Sequence, residues 1–105
     1  MKVVIDTNVF ISSFFGGKPR EVINLWMNQY ITLCLSKDIL DEYLDVLARL
    51  NLDEDLLAEL MAFFAKGHNL VFTRKTPIVS NVESDPEDNK FIECALALNA
   101  QFIIT

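Results

Sequence analysis

Three acidic side chains stand where a shared site could form. Asp6 directly follows the apolar run Val3-Val4-Ile5, Glu42 lies in a segment with helical periodicity, and Asp88 lies near the start of another. Clustered carboxylates raise one another's pKa values unless a cation neutralises them. Oxygen-only ligands suit Mg²⁺ or Mn²⁺, whereas zinc prefers histidine and cysteine. The three acids therefore predict a divalent-metal site if the fold brings them together.

Asp6 also suits a purely structural role. Asp is favoured at helix N-caps, and the apolar run Val9-Phe10-Ile11 that follows could begin a helix. At the end of a buried parallel strand, however, Asp6 would lie at the sheet edge where ligands bind in open α/β proteins. Both roles remain open for Asp6 from the residues alone.

Asp88 can be interpreted in two ways from the helical wheel. If Asp85 caps the helix, Asp88 takes the third helical position, which is the reciprocal site of a capping box. Asp88 also shares the apolar face of Phe91 and Ile92, whereas Lys90 points elsewhere. An ionised acid on an inward stripe needs a partner, either a metal or the helix N-terminus. We interpret Asp88 as a functional residue and Asp85 as a cap.

Glu42 gives a weaker signal than the other two acids. Ile39, Tyr43 and Val46 flank it, which places it at the margin of the apolar stripe of its helix. Its long side chain would allow it to reach towards the sheet edge. A solvated surface position is equally compatible with the pattern.

The elements that must position these acids alternate along the chain. Short apolar runs predict strands at 2–5, 31–35 and 101–105, with weaker candidates at 69–73 and 77–79. Helical patterns cover 9–15, a segment starting at 19, and then 37–50, 53–66 and 85–99. This alternation predicts an α/β fold with a mostly parallel sheet, in which the carboxyl ends of the strands share one edge. The first, second and last strands are expected to be buried on both faces.

Composition narrows the functional classes. The chain has 105 residues, which predicts one domain, and a net charge of −6. That charge disfavours binding to nucleic acid by phosphate neutralisation alone, although metals can bridge carboxylates to phosphates. No secretory signal or apolar segment of about 20 residues is present, which predicts a cytoplasmic protein without a membrane span. Cys34 and Cys94 are predicted to be buried free thiols.

Other catalytic arrangements find little support. With His68 as the single histidine, no Ser-His-acid or Cys-His arrangement can be built, and no phosphate-binding glycine motif occurs. A phosphatase using Asp6 as its nucleophile would need a second Asp two residues later, where Asn8 stands.

The order of these motifs resembles that of the PIN domain family, and more narrowly the PIN-type toxins of prokaryotic toxin–antitoxin pairs. The similar segments are 3–9 with Asp6, 36–47 with Glu42, 85–91 with Asp88, and the apolar strand that ends at Thr105. Each motif is weak alone, but four in order at suitable spacing are fairly specific. The resemblance implies a three-layer α/β/α fold over residues 1–105.

The same resemblance implies a Mg²⁺- or Mn²⁺-dependent endoribonuclease. Asp6, Glu42 and Asp88 would be the catalytic metal ligands, Asn8 would hydrogen-bond to the first acid, and Thr105 would line the pocket. A metal-activated water would attack the RNA phosphodiester in line, without a nucleophilic side chain. The implied partners are the RNA substrate, an antitoxin protein and a second copy of the chain.

The chain departs from the family pattern at Thr105. Family members usually continue with a motif that supplies a fourth acid, followed by a further helix. We therefore expect a C-terminally shortened domain whose uncovered sheet face favours a homodimer. The alternative function is a non-catalytic PIN-like module that binds RNA or protein without cleavage.

Overall fold

The computed structural model describes residues 1–79 and 88–105, which form a three-layer α/β/α fold and confirm the predicted fold class. In chain order the elements are β1 (Lys2–Ile5), α1 (Thr7–Ser12), a 3-10 turn (Ser13–Phe15), α2 (Gly17–Met27), β2 (Thr32–Ser36), α3 (Lys37–Arg49), α4 (Glu54–Lys66), β3 (Leu70–Thr73), α5 (Asn89–Leu98) and β4 (Phe102–Ile104). Asp85 lies outside the described residues, so its predicted capping role stays a prediction.

The sheet is parallel, with strand order β3-β2-β1-β4. Val3 of β1 pairs with Leu33 of β2 on one side and with Phe102 of β4 on the other. The chain therefore adds β2 and β3 on one side of β1 and returns to add β4 on the opposite side. Such a reversal leaves a crevice at the carboxyl ends of the two diverging strands, here β1 and β4.

Local signals set the ends of the helices that flank the sheet. Ser36 accepts a hydrogen bond from the Ile39 amide at 3.2 Å and caps α3, as predicted. Asp53 caps α4 in the same way, through the Leu56 amide at 3.0 Å. Gly67 ends α4 at a φ of 66°, in the left-handed region that favours glycine. Across the described ranges, no helix combines the length and apolar character required to cross a bilayer.

The core explains why β1 is so apolar. Val3, Val4 and Ile5 are at most 2 % exposed, and since successive side chains of a strand point to opposite faces, both faces of β1 are covered. The buried aromatic ring of Tyr43 on α3 stacks on Phe10 of α1 at a centroid distance of 4.1 Å. Cys34 and Cys94 are buried free thiols, as predicted.

One strand prediction needs correction, and the open choice between two weaker candidates is resolved. The last strand is not buried, because Phe102 is 58 % and Ile103 36 % exposed. The reason is that β4 lies at the edge of the described sheet, where it pairs with β1 alone. Of the two weaker candidates, 70–73 forms β3, while 77–79 forms no strand.

Candidate functional site

A cleft opens at the carboxyl ends of β1 and β4. One lobe has a volume of about 230 Å³ and is lined by Asp6, Thr7, Asn8, Glu42, Val46, Asp88 and Phe91. The second lobe, of about 450 Å³, is lined by Asp6, Asn8, Asp88, Phe91, Ile92, Ile103 and Thr105. The structure thus brings the three candidate acids to one place, together with Asn8 and Thr105. We call this feature the acidic cleft.

Asp6 lies at the end of β1, where the strand order of the sheet reverses towards β4. Two parts of the structure hold it in place. Its backbone amide donates to the carbonyl of Ile104 at 3.0 Å, which joins the end of β1 to β4. Its Oδ1 atom accepts from the Val9 amide at 2.8 Å and caps α1. The predicted cap is therefore present, and it coexists with a place in the acidic cleft because a carboxylate has two oxygens.

Glu42 is not a solvated surface residue. The Thr7 hydroxyl donates to Glu42 Oε2, and Lys90 Nζ donates to Glu42 Oε1 at 3.0 Å. The two side chains of this ion pair are partly buried, with 31 % of Glu42 and 19 % of Lys90 exposed. Glu42 therefore links the start of α1 to the start of α5.

Sequence reasoning missed the roles of Thr7 and Lys90. The helical wheel placed Lys90 away from the face of Asp88. Lys90 is the second residue of α5, and its side chain is long enough to reach Glu42 from there. A wheel gives only the direction of the Cα–Cβ bond, and a four-carbon stem can bend well away from it. The position of Thr7 next to Asp6 was the available signal for its role.

Tyr43, the neighbour of Glu42, also positions the backbone that lines the cleft. Its buried hydroxyl donates to the carbonyl of Ile5, the residue before Asp6. Burial raises the pKa of Tyr43 well above its usual value, with further increases from Cys94 and the carboxylates of Asp6 and Glu42. The hydroxyl therefore stays protonated and remains a donor. Periodicity indicated that Tyr43 is buried but gave no sign of this bond.

Asp88 immediately precedes the first residue of α5, Asn89, and has helical backbone angles. Its predicted place as the third helical position depends on a cap at Asp85, which lies outside the described residues, so that placement stays a prediction. The side chain of Asp88 makes no capping hydrogen bond and is exposed to the cleft solvent. The carboxylate is consequently not committed to stabilising the helix and lines both lobes of the acidic cleft.

The donor chemistry of the cleft fits a hard divalent cation. Three carboxylates line it, and the neutral oxygens of Asn8 and Thr105 are of the kind that completes Mg²⁺ or Mn²⁺ coordination. Within 1–79 and 88–105, no group of three or more His, Cys, Asp or Glu side chains is arranged to hold a metal. Because Glu42 binds Thr7 and Lys90, metal binding would require side chains to rearrange.

Comparison with protein-family models matches residues 2–105 to the PIN domain model. Neither the curated proteins nor the solved structures contain a significant match. PIN domains are generally nucleases, and these nucleases generally use a divalent metal. The match covers nearly the whole sequence and agrees with the parallel α/β/α fold. The chain belongs to the PIN domain family.

Proposed function

We propose that this chain is a Mg²⁺- or Mn²⁺-dependent endoribonuclease whose metal ligands are Asp6, Glu42 and Asp88. The observation that carries the proposal is the convergence of these acids, from the end of β1, from α3 and from the start of α5, on one cleft. The cleft lies at the switch point of a parallel sheet, where α/β proteins bind their ligands.

The chain's own residues prepare the cleft for this chemistry. Asp6 is fixed by its bonds to Val9 and Ile104, and Thr7 orients one oxygen of Glu42. A bound divalent ion would supply the Lewis acid that activates water and offsets charge on the scissile phosphate. With a net charge of −6, the protein repels a polyanion, so positive charge at the cleft is needed before RNA can approach.

Metal binding can be tested by the thermal stability of the folded chain. We expect Mn²⁺ to raise the Tm of the wild type, because an ion that binds only the native state stabilises it. Asp6→Asn should abolish the shift, since Asn keeps the helix cap but loses the charge. The matched control is Asp45→Asn, which removes an exposed acid of α3 that pairs with Arg49. An equal shift in Asp6→Asn and the wild type would refute the assignment of Asp6.

Cleavage can be tested with a fluorescently labelled single-stranded RNA and Mn²⁺. Glu42→Gln and Asp88→Asn should each lose cleavage by at least about 100-fold, as expected when a ligand of a catalytic metal is neutralised. Asp45→Asn should cleave like the wild type. Metal-dependent cleavage that survives in both cleft variants would overturn the proposed site.

The second candidate function is a non-catalytic module that binds RNA or protein. The observation in its favour is that an ammonium group, Lys90, neutralises Glu42, while the described residues hold no preformed metal cluster. For this function we expect RNA binding that is indifferent to Mn²⁺ and leaves the RNA intact. A gel-shift assay run beside the cleavage assay distinguishes the two.

We further propose that the chain acts in the cytoplasm as the toxin of a toxin–antitoxin pair and forms a homodimer. Exposed Phe102 and Ile103 on the edge strand β4, and Leu96 on α5, support association through apolar contact. Light scattering after size exclusion tests the dimer, which Phe102→Glu should dissociate. Growth arrest on expression, lost in Asp6→Asn, tests toxicity.

A further inference from the structure

Lys90 forms an ion pair unlike the others in the structure. The other ion pairs among the described residues, Lys37–Asp41 and Arg49–Asp45, lie on the surface of α3, with more than half of each side chain exposed. The Lys90–Glu42 pair joins two helices and is largely shielded from solvent. Lys90 Nζ also lies 5.4 Å from the ring centroid of Phe91, which lines both lobes of the acidic cleft. The ammonium group is thus placed beside the candidate metal site.

Both carboxylate oxygens of Glu42 have donors. Thr7 supplies a neutral hydroxyl to Oε2, and Lys90 supplies a full positive charge to Oε1. A neutral donor can share a carboxylate with a cation, because it adds no net repulsion. A second cation at the same carboxylate is repelled by the ammonium, and partial burial weakens the screening of that repulsion.

We infer that Lys90 is a built-in competitor of the divalent ion at Glu42, which the ion must displace on binding. The inference rests on the proposed function, since it requires that Glu42 be a metal ligand. It accounts for the lack of a preformed metal cluster in residues 1–79 and 88–105, despite three acids around one cleft. Lys90 thereby neutralises Glu42 when metal is scarce and lowers the affinity of the cleft for metal.

Titration calorimetry with MnCl₂ on the full chain tests this inference. In Lys90→Gln we expect Mn²⁺ to bind about three- to fivefold more tightly than in the wild type, the effect of removing one partly exposed ion pair. Lys90→Arg keeps the positive charge and should retain weak binding. The matched control is Lys37→Gln, which breaks an exposed pair on the same helix as Glu42 and should leave the Kd unchanged.

Each outcome of the calorimetry supports or overturns the competition by Lys90, the proposed metal site, or both. Unchanged or weaker Mn²⁺ binding in Lys90→Gln overturns the competition. If the wild type still binds Mn²⁺ in an Asp6-dependent manner, the proposed metal site survives that failure. Absence of Mn²⁺ binding in both the wild type and Lys90→Gln overturns both proposals. Binding in Lys90→Gln alone supports the competition but overturns the proposed metal-dependent activity of the wild type.

A second measurement avoids the risk that Lys90→Gln fails to fold. In wild-type protein with isotope-labelled lysines, titration with diamagnetic Mg²⁺ should shift the side-chain NMR signal of Lys90 and leave that of Lys37 in place. The Lys90 signal is identified by its loss in Lys90→Arg. A Lys90 signal that stays fixed while Mg²⁺ raises the Tm would contradict displacement.

Discussion

Asp6 shows how one side chain can serve the fold and the candidate site together. Its Oδ1 atom caps α1 by accepting from Val9, and the residue also lines the acidic cleft beside Glu42 and Asp88. Asn resembles Asp as a cap and differs in charge, while Ala removes both properties. Substitution of this one position can therefore separate folding from metal binding.

The first prediction uses that difference. In the absence of metal, Asp6→Asn should change the free energy of unfolding by less than about 0.5 kcal/mol, whereas Asp6→Ala should lower it by about 1 kcal/mol. Urea denaturation followed by circular dichroism measures both. Equal losses in the two variants would show that the cap contributes no stability of its own.

Tyr43 permits a second prediction at this scale. Tyr43→Phe keeps the ring stacked on Phe10 but removes the hydroxyl that donates to the Ile5 carbonyl. We expect a loss of about 1 to 2 kcal/mol in the free energy of unfolding, as for a buried hydrogen bond whose acceptor stays behind. Tyr30→Phe is the control, since Tyr30 is 73 % exposed. A loss of the same size in Tyr30→Phe would show that the effect is not due to the buried bond.

At the scale of the elements, the helices that carry site residues differ from α4, which carries none. Glu42 lies on α3, and Asp88 immediately precedes α5. By contrast, α4 contributes Leu56 and Leu60 to the core and no residue to the acidic cleft. Stability and metal binding should therefore respond independently to changes in α4.

The third prediction concerns the N-cap of α4. Asp53→Ala should lower the free energy of unfolding by about 1 kcal/mol, because the Leu56 amide loses its acceptor. The Kd for Mn²⁺ should not change. Glu59→Ala, in the middle of the same helix, is the control and should leave stability nearly unaltered. Weaker Mn²⁺ binding in Asp53→Ala would mean that α4 is coupled to the cleft.

At the scale of the whole molecule, α5 packs against the sheet and buries two thiols. Burial raises the pKa of Cys34, and burial together with the nearby Cys34 raises the pKa of Cys94 to about 12. In the unfolded chain both thiols titrate near their ordinary pKa of 9.0. At alkaline pH the folded state therefore keeps the thiol protons, and unfolding releases them.

The fourth prediction follows from the sign of these shifts. Below pH 9 the thiols are protonated in both the folded and the unfolded chain, so the folded state keeps its full stability. The free energy of unfolding should decline as the pH rises from 9 towards 12, because only the unfolded chain then loses the thiol protons. In Cys94→Ala this decline should be shallower, whatever the variant's stability at pH 7. Urea denaturation between pH 7 and 10.5 measures the slopes. Identical slopes would show that Cys94 does not contribute.

The sequence predicted much of this architecture and less of the site. Ser36 and Gly67 act through local backbone geometry, so their roles in ending helices could be predicted from neighbouring residues alone. The exposure of β4 could not, because an edge strand and a central strand share the same apolar pattern. The contact of Lys90 with Glu42 spans 48 residues and depends on side-chain reach, which periodicity does not encode.

The pairing of β1 with β4 also has a consequence for the order of events during synthesis. Val3 pairs with Phe102, so β1 leaves the ribosome well before β4, the strand that satisfies its second edge. A nascent chain that has emerged only as far as α4 carries Asp6 and Glu42 but lacks Asp88 and Thr105. The cleft is thus assembled only after α5 and β4 have been synthesised, and such long-range pairing folds slowly.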